Sequence, residues 1–231
     1  MKLSIIIPVY NERATIVALI DRLNQSGCDK YQWIFVDDGS TDGTTELLRQ
    51  HIPAGQTLIV QPKNQGKSFA VRTGLANATG DWVIVQDADL EYDPAEIPKL
   101  LQKAEASSVQ PVAVYGRRPS CWERPSRWIF ASGVLGIDVA MLFVYRAWVR
   151  DHATCYKLVP RRVLDAFQLE STGFEGCVEI TAKLMHSKIP ILQVPIRYEP
   201  RGIAEGKKLS ICYGWSAMRA VIRFRKARGS Q

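Results

Sequence analysis

Trp82-Val83-Ile84-Val85-Gln86-Asp87-Ala88-Asp89 is the stretch on which the fold turns. A short run of apolar, mostly β-branched residues reads as a strand buried on both faces, predicted over 81–86. The run stops at two carboxylates flanking one small residue. Two such groups at a strand end can offer oxygen ligands to a hard divalent cation, and Glu91 stands two residues on as a third. The other reading of such a triplet is a helix cap.

The same grammar repeats outward from this stretch. Leu3–Val9 is an apolar β-branched run, and Ala14–Leu23 carries Ile16, Leu19, Ile20 and Leu23 at helical spacing. Trp33–Val36 and Thr57–Val60 read as strands, followed by helices over Thr41–Gln50 and about Ser68–Ala78. Pro94–Ala106 is predicted helical, with Pro94 in its first turn, and Val112–Tyr115 is a fifth strand. Alternating strands and helices predict an α/β fold with a mainly parallel sheet covered on both faces. Ligands of such sheets sit beyond the carboxyl ends of the strands. Tyr10-Asn11-Glu12, Asp37-Asp38-Gly39-Ser40 and Asp87-Ala88-Asp89 all fall there.

A carboxylate in the 37–44 turn can accept the imino N–H of a base or a ribose hydroxyl, while Ser40 or Thr41 can cap the following helix. Asn64-Gln65-Gly66-Lys67-Ser68 opens the third helix, whose N-terminus with Lys67 suits a diphosphate. It lacks the glycine spacing of a P-loop.

The chain has 231 residues, 46% hydrophobic and 23% charged, within the range of one globular domain. Its five cysteines form no CxxC pair and its three histidines have no metal-ligand spacing, which points to reduced thiols and away from a zinc site. No signal peptide is legible, so a cytoplasmic location is expected. The net charge of +7 lies wholly in residues 197–231, which hold nine Lys/Arg against two Glu. A basic end fits an anionic lipid, a nucleic acid, an acidic ligand or a solvated tail. The acidic turns and the lack of a nucleic-acid motif argue against the second.

Trp128–Val149 is long and apolar but interrupted by Asp138 and Arg146, with Trp122, Trp128, Tyr145 and Trp148 around it. It reads as one or two amphipathic helices lying on a membrane interface rather than a span; the other reading is an ordinary buried helix. Toward the C-terminus, Ile211, Trp215, Met218 and Ile222 form an apolar helical stripe beside a cationic one of Arg219, Arg223 and Lys226.

Together these blocks resemble family 2 glycosyltransferases of GT-A fold, and within them the polyprenyl-phosphate sugar synthases of the dolichyl-phosphate mannosyltransferase type. The matching stretches are 7–12, 36–44, 64–74, 80–94 and 114–116, then Asp151 to Lys157, Glu179 to Leu184 and Glu205 to Lys208. The resemblance implies one GT-A catalytic domain over 1–231, with a nucleotide-sugar half at 1–116 and an acceptor and membrane half at 117–231. It implies that Pro8, Tyr10, Glu12, Val36 and Asp38 line the nucleoside pocket. Asp87 matches the carboxylate near ribose and metal, Asp89 the direct ligand of Mg²⁺ or Mn²⁺, and Glu91 the third metal-side position, where relatives often carry Gln. Arg118 matches a phosphate-binding arginine, with Arg117 beside it. Relatives often carry an acidic residue where Cys177 stands. Many also continue into transmembrane helices, and none is legible here.

The expected reaction is inverting displacement at the anomeric carbon of a GDP-mannose or UDP-glucose type donor by a polyprenyl or dolichyl phosphate. A lipid phosphate is already anionic and needs cations rather than a base. Arg117, Arg118, Arg201, Lys207 and Lys208 are the candidates, and a separate membrane-protein partner is compatible with this reading. A saccharide or protein hydroxyl acceptor would instead need a general base, for which Asp151 is the candidate if it is not a structural loop anchor. A non-catalytic nucleotide or nucleic-acid binder is the remaining alternative.

Overall fold

The computed structural model describes residues 1–119, 128–146, 148–173, 175–200 and 212–225. Its centre is a seven-stranded sheet in the order β3-β2-β1-β4-β6-β5-β7. The strands are β1 (Leu3–Val9), β2 (Gln32–Asp37), β3 (Thr57–Val60), β4 (Trp82–Val85), β5 (Ala113–Arg117), β6 (Lys157–Pro160) and β7 (Ile191–Pro195). β6 runs antiparallel to both neighbours, and every other pairing is parallel.

The period of two in the strands sorts side chains into two cores. Leu3, Ile5, Ile7, Trp33, Phe35, Trp82, Ile84 and Val114 join one face. Ile6, Ile34, Val36, Val83 and Tyr115 join the other. This double burial is why the strands are nearly continuous apolar runs. The first face is covered by α1 (Ile16–Gln25) and α4 (Ile97–Glu105), which present Ile16, Leu19, Leu23, Ile97 and Leu100. On the second face lie α3 (Lys67–Ala76) and α7 (Gly176–His186). Each large side chain fully buried this way contributes about 1.5–3 kcal/mol. α2 (Thr44–His51) flanks α1, and α6 (Arg161–Phe167) follows β6.

The strand predictions for the first half agree closely with what is found, and helix ends differ by a few residues. Pro94–Glu96 is a 3-10 turn before α4 rather than its first α-helical turn. The expected Ser40 or Thr41 cap is replaced. Asp42 accepts the Thr44 N–H at 3.0 Å, while Ser40 and Thr41 are tied across to Asn11.

Trp128–Tyr145 forms α5, which ends where Arg146 turns to φ 53. It packs against α8 (Cys212–Arg223), and the Tyr145 hydroxyl donates to the Val221 carbonyl at 2.8 Å. Ala220 and Val221 of α8 and Phe224 just after it are buried, and Ile222 of the apolar stripe is outward. No described helix is long and apolar enough to cross a membrane.

Candidate active site

Strand direction places the site. β1, β2 and β4 end together: Val9 pairs with Asp37 in register, the Asp38 N–H bonds to the Val9 carbonyl at 2.8 Å, and that of Gln86 to Ile6 at 2.9 Å. Because β6 is antiparallel, its start lies at the same edge. The Tyr156 hydroxyl there donates to Gln86 Oε1, and the Cys155 thiol to the Val85 carbonyl at 3.3 Å. β5 ends at this edge too and delivers Arg117 and Arg118, and the chain after β7 delivers Tyr198, which bridges to Tyr92.

Asp87 and Asp89 occupy the turn after β4. Lys67 Nζ approaches Asp87 Oδ1 at 2.5 Å. Burial alone would lower the Lys67 ammonium, but Asp87 outweighs it and holds the pKa well above its ordinary value. Asp89 accepts the Glu91 N–H at 3.1 Å. Burial first, then the neighbouring Asp87 and Glu91, push its pKa up to about 7. Leu90 between them is held at φ 62, a conformation an L-residue adopts only under constraint.

Glu91 faces elsewhere, accepting from the Tyr198 hydroxyl at 2.5 Å. Among the described residues no three acidic, His or Cys side chains converge as a metal cage. Of the three carboxylates, Glu91 is tied to Tyr198, while Asp87 and Asp89 share the turn after β4. The electrostatic strain on Asp89 still fits a divalent cation, since Mg²⁺ is commonly held by one or two carboxylates plus substrate phosphates.

Asp38 is buried and accepts the N–H groups of Gln65 at 2.9 Å and Gly66 at 2.8 Å. It organises the loop before α3 rather than standing open to a base. Gly66 is required there: at φ 98, a Cβ would lie 2.5 Å from the Thr172 carbonyl oxygen. That same oxygen receives the N–H groups of Ser68 at 2.9 Å and Phe69 at 3.2 Å. Two N–H groups in the first turn of α3 are thus occupied from within the chain. The Val36 side chain is wholly inside the core, so only its backbone can face the strand-end edge. Pro8 and Tyr10 are half-buried at the end of β1, and Glu12 accepts from the Thr15 hydroxyl at 3.0 Å.

Arg118 is gripped by Asp151, with Nε to Oδ2 at 2.9 Å and a terminal nitrogen to Oδ1 at 2.5 Å. Its guanidinium also lies 5.0 Å from the Tyr198 ring centre. Burial would raise Asp151, but Arg118 overrides that and holds it below the ordinary carboxylate range. So weak a base, already paired, is unsuited to deprotonate a hydroxyl; the structural-anchor reading of Asp151 holds. Arg117 is half-buried, and its carbonyl accepts the Ile196 N–H at 3.0 Å. Arg201, Lys207 and Lys208 lie outside the described residues.

Tyr198, Gln86 and Tyr156 escaped sequence reasoning. A lone tyrosine near a C-terminal Pro gives no local signal, whereas Gln86, a polar residue ending a buried strand, was a legible clue.

The model of glycosyl transferase family 2 matches residues 4–166. The chain belongs to that family. Among curated members it is 43% identical over 108 residues to the undecaprenyl-phosphate 4-deoxy-4-formamido-L-arabinose transferase of Aeromonas hydrophila, covering 44% of this chain and 33% of that one. It is 29% identical over 213 residues to the dolichol-phosphate mannosyltransferase of Pyrococcus furiosus, covering 90% and 59%. The chain thus spans between a third and three fifths of these relatives' lengths. Its fold is GT-A: glucosyl-3-phosphoglycerate synthase from Mycobacterium tuberculosis, solved with Mn²⁺, UDP and phosphoglyceric acid, superposes with a TM-score of 0.72 at 19% identity, covering 99% of this chain and 80% of that one.

Proposed function

We propose that this family member is an inverting glycosyltransferase that moves a hexose from a GDP-mannose or UDP-glucose type donor to a polyprenyl or dolichyl phosphate. The observation that carries this reading is the pairing, at one sheet edge, of the Asp87 and Asp89 carboxylates with a guanidinium oriented by Asp151. The names of both curated relatives, each a sugar transferase of a polyprenyl phosphate, support the same acceptor class.

In this reading the donor lies over the ends of β1, β2 and β4, near Pro8, Tyr10 and Glu12. Asp89, with Asp87 beside it, would hold Mg²⁺ or Mn²⁺, which supplies charge neutralisation for the diphosphate leaving group. Lys67 adds a positive charge on the same side. Arg118, with Arg117, holds the acceptor phosphate against the repulsion of the donor, so that one of its oxygens can displace the nucleotide from the far face of the anomeric carbon. No proton has to be removed from this nucleophile, in keeping with a site whose candidate base, Asp151, is tied to Arg118.

The acceptor's location calls for contact with a bilayer. α5 and α8 expose Leu142, Phe143 and Ile222 together with Arg219 and Arg223, which suits peripheral docking on an anionic, cytoplasmic leaflet.

Transfer of radiolabelled sugar from a panel of nucleotide sugars to short-chain polyprenyl phosphate, with Mg²⁺ or Mn²⁺, tests the proposal. Label is expected in the organic phase from one donor, with at least a hundredfold loss in D89A. Metal-dependent donor hydrolysis without lipid product would overturn the acceptor and leave a hydroxyl-bearing substrate as the next reading.

A further inference from the structure

Asp138 is a carboxylate in the middle of a helix that is otherwise apolar, and it is only 4% exposed. Such burial is costly unless every oxygen is satisfied. Its partners all come from one place. Oδ2 accepts the Asp151 N–H at 3.0 Å, and Oδ1 accepts the His152 N–H at 3.2 Å and lies 2.5 Å from Nδ1 of the same histidine. These bonds pin the backbone at Asp151, which is held at φ 60. Asp151 in turn grips Arg118 through both carboxylate oxygens.

His152 strengthens the point. Its ring is fully buried, and Nε2 has no hydrogen-bond partner among the described residues. With Nδ1 on Asp138, Nε2 is left an unsatisfied polar atom, an arrangement that packing alone would not favour over an apolar side chain. What the ring secures is the rotamer of Asp138.

We infer that Asp138 is a positioning residue for Arg118: by fixing the backbone of Asp151 it sets the direction in which the guanidinium is offered to the acceptor phosphate. The inference rests on the reading of Arg118 as the acceptor-phosphate group. It joins two parts of that reading, because the same stretch of α5 exposes Val139, Leu142 and Phe143. The helix assigned to the bilayer and the phosphate-binding arginine are connected through two carboxylates, Asp138 and Asp151.

Two measurements test this. The first is binding of short-chain polyprenyl phosphate, by calorimetry, to wild type, R118A, D138N and the double variant. D138N is expected to weaken binding about tenfold, and the double variant to match R118A alone, as in a cycle of coupled residues. D138N binding like wild type, or fully additive losses, overturns the inference. Wild type and R118A binding alike overturns instead the acceptor reading on which it rests, a result distinguishable from a silent D138N.

The second is the Arg118 Nε–H resonance, assigned by its loss in R118A, which needs no ligand. It is expected to shift in D138N; an unmoved resonance overturns the inference whatever the substrate. Should D138N not fold, H152Q, which removes the ring that secures the rotamer of Asp138, is read the same way with a several-fold weakening expected.

Discussion

Asp151 illustrates how one side chain serves both stability and the site. Its carboxylate is pushed up by burial and pulled down more strongly by Arg118, so its folded pKa lies below the ordinary 3.8. A depressed carboxylate stabilises the folded state at every pH above its unfolded value and loses that contribution as pH falls through the lower folded one. D151N is therefore expected to melt below wild type at neutral pH, with the gap closing as the pH falls beneath 3.8. Thermal melts of both proteins across that range check it, and a gap independent of pH would assign the loss to shape rather than charge. Asp89 has the opposite sign: its ionised form is opposed by burial and by Asp87 and Glu91. Hence D89A is expected to lose transfer while keeping its melting temperature. That the acidic turns close β1, β2 and β4 is legible in the sequence, but not which of their carboxylates have partners. Asp38 and Glu91 were read as ligand-facing, yet one binds Gln65 and Gly66 and the other Tyr198. Spacing along the chain carries no information about a hydroxyl 107 residues away.

At the scale of elements, α3 shows what the site needs from its scaffold. Gly74 lets this helix approach β1 so closely that a Cβ would lie 2.4 Å from Ile6 Cγ2. Ile6 is β-branched, fully buried and held in a central strand, so it cannot give way cheaply. G74A is expected to destabilise by about 1–3 kcal/mol. In urea, the midpoint should fall with an unchanged slope. An unaltered midpoint would mean that α3 slides at no cost, and the loop carrying Gly66 and Lys67 would not be fixed by packing. The five strands of the first half were legible because burial on both faces leaves an unmistakable apolar run. β6 was not. It is four residues long, begins with a buried lysine whose ammonium donates to the carbonyls of His152 and Thr154, and ends in proline. On α8, Ile222 of the apolar stripe is outward, while Ala220 and Val221 are buried where α5 and α7 lie against the helix, a packing that the stripe alone does not reveal.

For the whole molecule, the net charge of +7 and the exposed apolar residues act together. Phe143 is 79% and Ile222 65% exposed, on two helices that pack on one another, with Arg219, Arg223 and Arg225 also outward. Each basic residue near an anionic leaflet contributes about 1 kcal/mol, screened by salt. Co-sedimentation with vesicles containing anionic lipid is expected for wild type. It should fall several-fold in F143S/I222S and in high salt. Equal pelleting of the double variant would remove these helices from the membrane. The order of the first five strands and the helices between them, the acidic turns that close them and the basic bias of the last segment follow from sequence alone, because periodicity and charge are local properties of the chain. The pairing of Arg118 with Asp151 and of Asp151 with Asp138, the turning of Glu91 toward Tyr198 and the closure of the α3 N-terminus by Thr172 were decided only by the tertiary structure. They depend on an antiparallel strand and a late parallel one arriving at the same sheet edge, and strand direction within a sheet is set by packing across the molecule rather than by any neighbouring residue.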